Sequence, residues 1–280
     1  VYLDTPTFLN FPNNEAWLAR QFEDQYQKNW SYDRGLRPVL GLAPSISAPD
    51  DHEFWNNFPH ATPAVQNSWS AGGRARWRRA AAALYDAFQA PYPAIAGEPV
   101  EILIPPVSFL VLDQRTFRRE DGAAALSLEA LQRVDAWVDR LIEEKMYGAV
   151  VTGQPLLAPQ AKPWEEKYLD RTVSTYRDYP RLVRSLLRLA DTGRPVLLIT
   201  GDMHWGRVTV VREAAKERFY EFICSPSSLV GTIGADQLRT LSAGLRSMVS
   251  RTRPRWPRHA RPADPPECFA RDVLSPRGLV

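Results

Sequence analysis

Residues 196–204 read VLLITGDMH, an apolar, β-branched run that breaks off at a glycine and then presents an aspartate and a histidine. Such a run fits a strand buried on both faces of a sheet. Gly201 lets the backbone turn as it leaves the sheet, and Asp202 and His204, two residues apart, point to one side of an extended segment. The pair is able to grip one metal ion or two neighbouring ones. The plainer alternative is an acid and an imidazole that merely satisfy loop amides.

Working outward, helical and extended patterns alternate around that strand. Trp17, Leu18, Phe22 and Tyr26 recur at near-helical spacing over 15–29, and after Gly72 and Gly73 a second helix over about 74–89 aligns Trp77, Ala81, Leu84 and Phe88. Arg74, Arg76, Arg78 and Arg79 stand at its start, where positive charge opposes the helix dipole, so some of these arginines are expected to act elsewhere. Two apolar runs, VEILI and VSFLVL, flank Pro105 and Pro106 over 100–112 and read as strands, the second ending at Asp113. Ser127 caps a helix buried through Leu131, Val134, Val138, Leu141 and Ile142, and a strand at about 148–152 ends in Gly153 and Gln154. Pro180 opens another helix at its tolerated first position. The runs at 207–211 and 218–223 read as a hairpin. This alternation predicts an α/β layered sheet with sites at the carboxyl ends of its strands.

A second dense stretch, DDHEFWNN at 50–57, lies inside a long Pro-, Asn- and Ser-rich region, 31–70, of the kind that is functional when it sits within a compact domain. Pro44, Pro49 and Pro59 argue against a charged helix face. Asp50, Asp51, His52, Glu53, Asn56 and Asn57 together suit oxygen-loving or borderline metals and proton transfer. At the end of the second strand, Asp113, Arg115 and Arg118 offer guanidinium forks for phosphate or for orienting a carboxylate, with structural salt bridging the alternative for each.

A chain of 280 residues with 44% apolar residues buries a sizeable core, and a net charge of +3 is near balance. The positive excess gathers late, at Arg246, Arg251, Arg253, Arg255, Arg258, Arg261, Arg271 and Arg277, which reads first as a solvated, partly ordered tail, with contact to nucleic acid or a phosphate-rich partner the alternative. Two distant cysteines, Cys224 and Cys268, make no disulfide framework. No apolar run approaches the roughly 18 residues of a membrane-spanning helix. The chain begins with Val and carries no leader pattern, so a preceding segment is expected to have been removed or omitted.

DDHEFWNN, the strand ending LDQRTFR, the strand ending LITGDMHWGRV and SPSS at 225–228, in that order, resemble the PhoD-like metallophosphatases, the alkaline phosphatase D group of the calcineurin-like phosphoesterase superfamily. The resemblance spans roughly Tyr2 to Ser228. It implies a mixed two-sheet sandwich flanked by helices over 1–245, an Arg- and Pro-rich segment over 246–280, and a cluster of two or more metal ions. Asp51 falls on a metal-binding position and His52 on the catalytic histidine; Asp202 and His204 fall on the last metal-binding motif. Tyr2 is similar to the tyrosine of a G-D-x-x-Y motif whose Gly-Asp would precede Val1, so one side of the metal site is expected to be missing from this chain. The expected reaction is hydrolysis of a small phosphoester, mono- or diester, by hydroxide formed from a metal-bound water, with His52 assisting the leaving group. Asn56 or Asn57, together with Arg115, is expected to hold the non-bridging oxygens. Asp, His, Tyr and Asn suit iron, calcium, manganese or zinc in different combinations. His60 and His259 read as ordinary histidines. The competing reading is a catalytically degenerate binding or scaffold domain with a basic C-terminal segment.

Overall fold

A computed structural model describes residues 14–55, 57–62, 65–90, 98–158, 171–201, 207–213, 216–224 and 267–271. Its centre is four parallel strands: β2 (Val107–Leu112), β3 (Tyr147–Thr152), β4 (Val196–Thr200) and β6 (Lys216–Ile223). Antiparallel strands finish both edges. β1 (Val100–Ile104) pairs with β2 across the Pro105–Pro106 turn, β5 (Arg207–Glu213) returns along β6, and β7 (Glu267–Arg271) lies outside β5. The order is therefore β1-β2-β3-β4-β6-β5-β7. The α/β class, the mixed sheet and its flanking helices stand as the sequence implied; all strands among the described residues join one sheet. The described residues of the Arg- and Pro-rich segment, 267–271, take part as β7.

Helices α4 (Leu128–Glu143) and α5 (Tyr179–Asp191) cover one face of this sheet. Ser127 caps α4 by accepting the Ala130 N–H at 3.0 Å, and Pro180 stands in the first turn of α5. Alternate strand residues, Leu110 and Leu112, Val150, Val196 and Leu198, and Phe219, meet Leu131, Val138, Leu182, Leu186 and Leu189 in one buried core. Gly148 marks a close approach of both helices to the sheet. A Cβ added there would lie 2.7 Å from both Leu189 and Trp137, so both helices lie directly on β3 because this position has no side chain.

A second core is built of aromatics. Helix α1 (Glu15–Tyr26) and helix α3 (Ala71–Phe88) bury Leu18, Phe22, Tyr26, Trp77 and Ala81 against Phe54, Trp55 and Phe58; a short helix, α2 (Arg37–Leu40), lies between them in sequence. Helix α3 begins three residues before the expected start, because Ser70 accepts the Gly73 N–H at 3.1 Å and both glycines ride in the first turn. Its arginines do act elsewhere. Arg79 reaches Glu15 of α1 at 2.8 Å, Arg74 forks onto Glu120, and Arg78 donates to the Thr116 carbonyl at 2.9 Å while lying 5.7 Å from the centre of the Phe58 ring. Arg79 joins the two helices of the aromatic layer, and Arg74 and Arg78 tie that layer to the segment that follows β2.

Gly148→Ala is expected to lower stability by about 1–3 kcal/mol, since Leu189 and Trp137 must both yield to the new methyl. Urea unfolding of the variant measures this directly. An unchanged midpoint would mean that the helices do not lie on β3 at this spacing.

Candidate active site

The parallel register aligns Leu112, Thr152 and Thr200 across three strands, so the chain leaves the sheet side by side at Asp113, Gly153 and Gly201. The Pro49–Asp50 backbone crosses this rim. A Cβ built on Gly153 would stand 2.6 Å from the Pro49 carbonyl oxygen, and one on Gly201 would stand 3.4 Å from the Gly153 carbonyl oxygen. Both glycines belong to one packed edge, and the DDHE segment is carried over it.

Within that segment the side chains divide by task. Glu53 closes a capping box around the single 3₁₀ turn Asp51–Glu53, accepting the Asp50 N–H at 2.8 Å and the Gln89 amide at 3.3 Å. Its carboxylate also borders the aromatic core, where burial first and Glu53 second hold the Tyr26 hydroxyl in its neutral form, with a raised pKa. Asp50 accepts from Arg115 at 2.7 Å. These two acids build the turn; Asp51 and His52 are what the turn presents. Asp51 is buried, its Oδ2 accepts the Asn57 N–H at 2.8 Å, and its Oδ1 lies 3.7 Å from His52 Nε2. The His52 side chain keeps 13% of its surface open.

Aromatic packing holds the loop from below. Phe54 stacks on Phe58 with ring centres 4.2 Å apart, Trp55 meets Phe58 edge-on at 4.7 Å, and the Trp77 indole donates to the Phe54 carbonyl at 2.6 Å. Asn57, inside this clasp, takes φ of 70°, a left-handed conformation uncommon outside glycine. Its side chain is 3% exposed, and neither Nδ2 nor Oδ1 has a hydrogen-bond partner. A buried, unmatched amide costs about 1–3 kcal/mol, and it coincides here with backbone strain beside a buried carboxylate.

Two buried arginines brace the rim. Arg115 is 1% exposed and donates to Asp50 and, at 3.1 Å, to the Phe58 carbonyl, with Asp51 Oδ1 at 3.9 Å. Its fork is turned to the loop it supports. Arg118 donates to the Gln114 carbonyl at 2.7 Å, to the Arg171 carbonyl at 3.1 Å and to the Gln154 side-chain oxygen, with its guanidinium 5.3 Å from the Tyr176 ring centre. The Tyr176 hydroxyl meets His60 Nε2 at 3.2 Å, which gives His60 a defined place at the margin of the site.

Of the residues the sequence singled out, Asp51, His52, Asn57 and Arg115 come together in one place. Tyr2, Asn56, Asp202 and His204 lie outside the described residues. Among the described residues no three His, Cys, Asp or Glu side chains gather into a metal site. The donor chemistry present nonetheless fits a cation, since the Asp51 carboxylate and the unmatched Asn57 oxygen stand on residues tied to each other by a hydrogen bond. Sequence reading missed Gln114, a buried amide just past β2 whose side-chain atoms also find no partner, and Gln154 as the brace of Arg118. No spacing rule links such residues. The Asp50-x-x-Glu53 capping box, by contrast, was there to be read.

Gly153→Ala is expected to displace the Pro49 carbonyl and lower stability by about 1–3 kcal/mol, with faster amide exchange over residues 50–57. Arg115→Ala is expected to lower stability by about 3 kcal/mol or more, because Asp50 loses its buried partner. Urea unfolding of the two variants, joined to exchange measurements on the first, checks both. Wild-type exchange at 50–57 in Gly153→Ala would show that the loop does not rest on the rim.

No protein-family model matches the chain, and no curated protein matches it. Among solved structures, one described as the structure of PhoD superposes with a TM-score of 0.43 at 17% sequence identity, over 63% of this chain and 38% of that chain. The match thus covers less than two thirds of that chain's own length.

Proposed function

We propose that this protein is a metal-dependent phosphoric ester hydrolase working at the rim beneath the DDHE loop. The observation that carries the reading is Asn57, a buried amide with both polar atoms unmatched, held in a left-handed conformation and bonded through its backbone to the Asp51 carboxylate. Such a residue is over-determined by its surroundings, and a cation or a phosphoryl oxygen would supply what its side chain lacks. Asp51 and Asn57 are the described residues fit to hold metal; Asp202, His204 and Tyr2 complete the set by the sequence resemblance. Two or more bound cations would acidify a water and offset charge on the phosphoryl group.

The chain's own residues supply the rest. His52 stands partly open, its Nε2 3.7 Å from Asp51 Oδ1, and donates a proton to the leaving oxygen. Donors from Asn56 or Asn57 meet the non-bridging oxygens, where pre-placed dipoles act most strongly on developing charge. Arg115 serves the same reaction by holding Asp50 and the Phe58 carbonyl, and through them the loop.

The full chain is expected to hydrolyse chromogenic phosphate mono- or diesters, with loss of turnover under chelation and recovery on adding metal. His52→Ala is expected to lower kcat by roughly 10²–10⁴-fold. Asn57→Gly is expected to keep or raise stability, since glycine accepts the positive φ, while kcat/KM falls by about 10²-fold. Salt-sensitive binding of nucleic acid without any turnover would instead favour a degenerate binding domain. Full activity in His52→Ala would sink the assignment of the proton donor.

A further inference from the structure

β6 carries a carboxylate in the middle of an otherwise apolar inward face. Glu221 is 0% exposed, between Phe219 and Ile223 on the side of the sheet that α5 covers. Its Oε1 accepts two consecutive backbone N–H groups, from Leu156 at 2.7 Å and Leu157 at 2.9 Å. Those residues belong to the irregular segment that follows β3, which is buried from Gln154 to Ala158. A buried segment without ladder partners must have its backbone groups met by side chains. The Tyr179 hydroxyl donates to the Leu156 carbonyl at 2.7 Å, and Thr152 Oγ1 donates to the Gln154 carbonyl at 2.6 Å. Glu221 supplies the charged member of this set, reaching past β4 from the next strand of the sheet.

We propose that Glu221 is a positioning residue for the site: its carboxylate fixes the height of segment 153–158, and that segment fixes where the DDHE loop rests. Each step is a contact. Gly153 lies under the Pro49 carbonyl, close enough that a single methyl would collide. Gln154 receives Arg118, Arg118 holds the Gln114 carbonyl, and the next residue, Arg115, holds Asp50. An apolar side chain at 221 would take from two adjacent buried N–H groups the acceptor they share, and the segment would shift in response. Only the kinetic arm of the test rests on the hydrolase reading.

The test compares Glu221→Leu with Glu221→Gln in the full chain. Glutamine keeps an accepting oxygen and loses the charge; leucine loses both. Amide exchange is followed at Leu156, Leu157 and Asn57, beside kcat and KM on a chromogenic phosphoester. In Glu221→Leu, exchange at Leu156 and Leu157 is expected to rise by about 100-fold or more, and the Asn57 amide, bonded to Asp51, is expected to loosen with them. There kcat falls by about tenfold or more while KM stays within about twofold. In Glu221→Gln, exchange at 156 and 157 rises by about tenfold, with a smaller rise at Asn57, and kcat stays within about threefold. A merely structural Glu221 would lower the melting temperature of both variants and leave Asn57 exchange and kcat per folded molecule unchanged, which overturns the proposal. If Glu221→Leu does not fold, Asn57 exchange in Glu221→Gln decides: a rise supports the proposal, and none, with 156 and 157 loosened, overturns it. Wild-type protein that turns over no phosphoester would remove the hydrolase reading, and the exchange arm would still decide the role of Glu221.

Discussion

The buried guanidinium of Arg115 is the interaction on which the site depends. It joins the end of β2 to the loop that crosses the rim, through Asp50 at one nitrogen and the Phe58 carbonyl at another. Removing a guanidinium and a carboxylate from water is expensive, and a buried pair of this kind adds little net stability over a well-packed apolar substitute. What it adds is position. An apolar contact would let the loop slide over the rim, whereas a charge-assisted hydrogen bond to Asp50 and a second to the Phe58 carbonyl pin the loop at two points and bring Asp51 with it. The same loop closes its own turn through Glu53, so the presented pair, Asp51 and His52, is held from both sides.

The described residues form two cores of different composition, and the site lies along their seam. One is mainly aliphatic, between the sheet and α4 and α5; the other is mainly aromatic, between α1, α3 and Phe54, Trp55 and Phe58. Interlocked rings resist sliding, because edge-on and stacked contacts each prefer a narrow range of geometry. The DDHE loop grows out of the aromatic core and rests on the carboxyl edge of the sheet. Arg74 and Arg78 of α3 and Arg118 beyond β2 tighten the same seam. A rigid scaffold on each side is what allows a loop to hold charged groups at fixed separations.

Much of this was legible in residue order. The strands at 100–104, 107–112 and 196–200, the Ser127 cap and the Pro180 start follow from period and capping chemistry. Other features depend on partners far apart in the chain. The Asp50–Glu53 capping box is local, but what fixes its two carboxylates is not: Arg115, 65 residues beyond Asp50, holds one and Gln89 the other, while Asp51 and His52 are presented. His60 looked ordinary because Tyr176, 116 residues away, is its partner. Glu221 did leave a local mark, a carboxylate in the inward register of RFYEFI, but what it meets could not be read from the strand alone.

Asn57 is where local preference and surrounding structure disagree. A left-handed backbone costs about 1–3 kcal/mol, and each unmatched buried polar group adds a similar amount, so an isolated peptide would abandon this conformation. It persists because Phe54, Trp55 and Phe58 are each 1% exposed or less, and fully burying such rings is worth several kcal/mol together. The hydrogen bond from its N–H to Asp51 then makes the strained residue and the buried carboxylate one unit. Relaxing Asn57 would move Asp51, and moving Asp51 would carry His52 from its place. The aromatic core therefore holds the acid and the imidazole in register through a residue that, left to itself, would do neither.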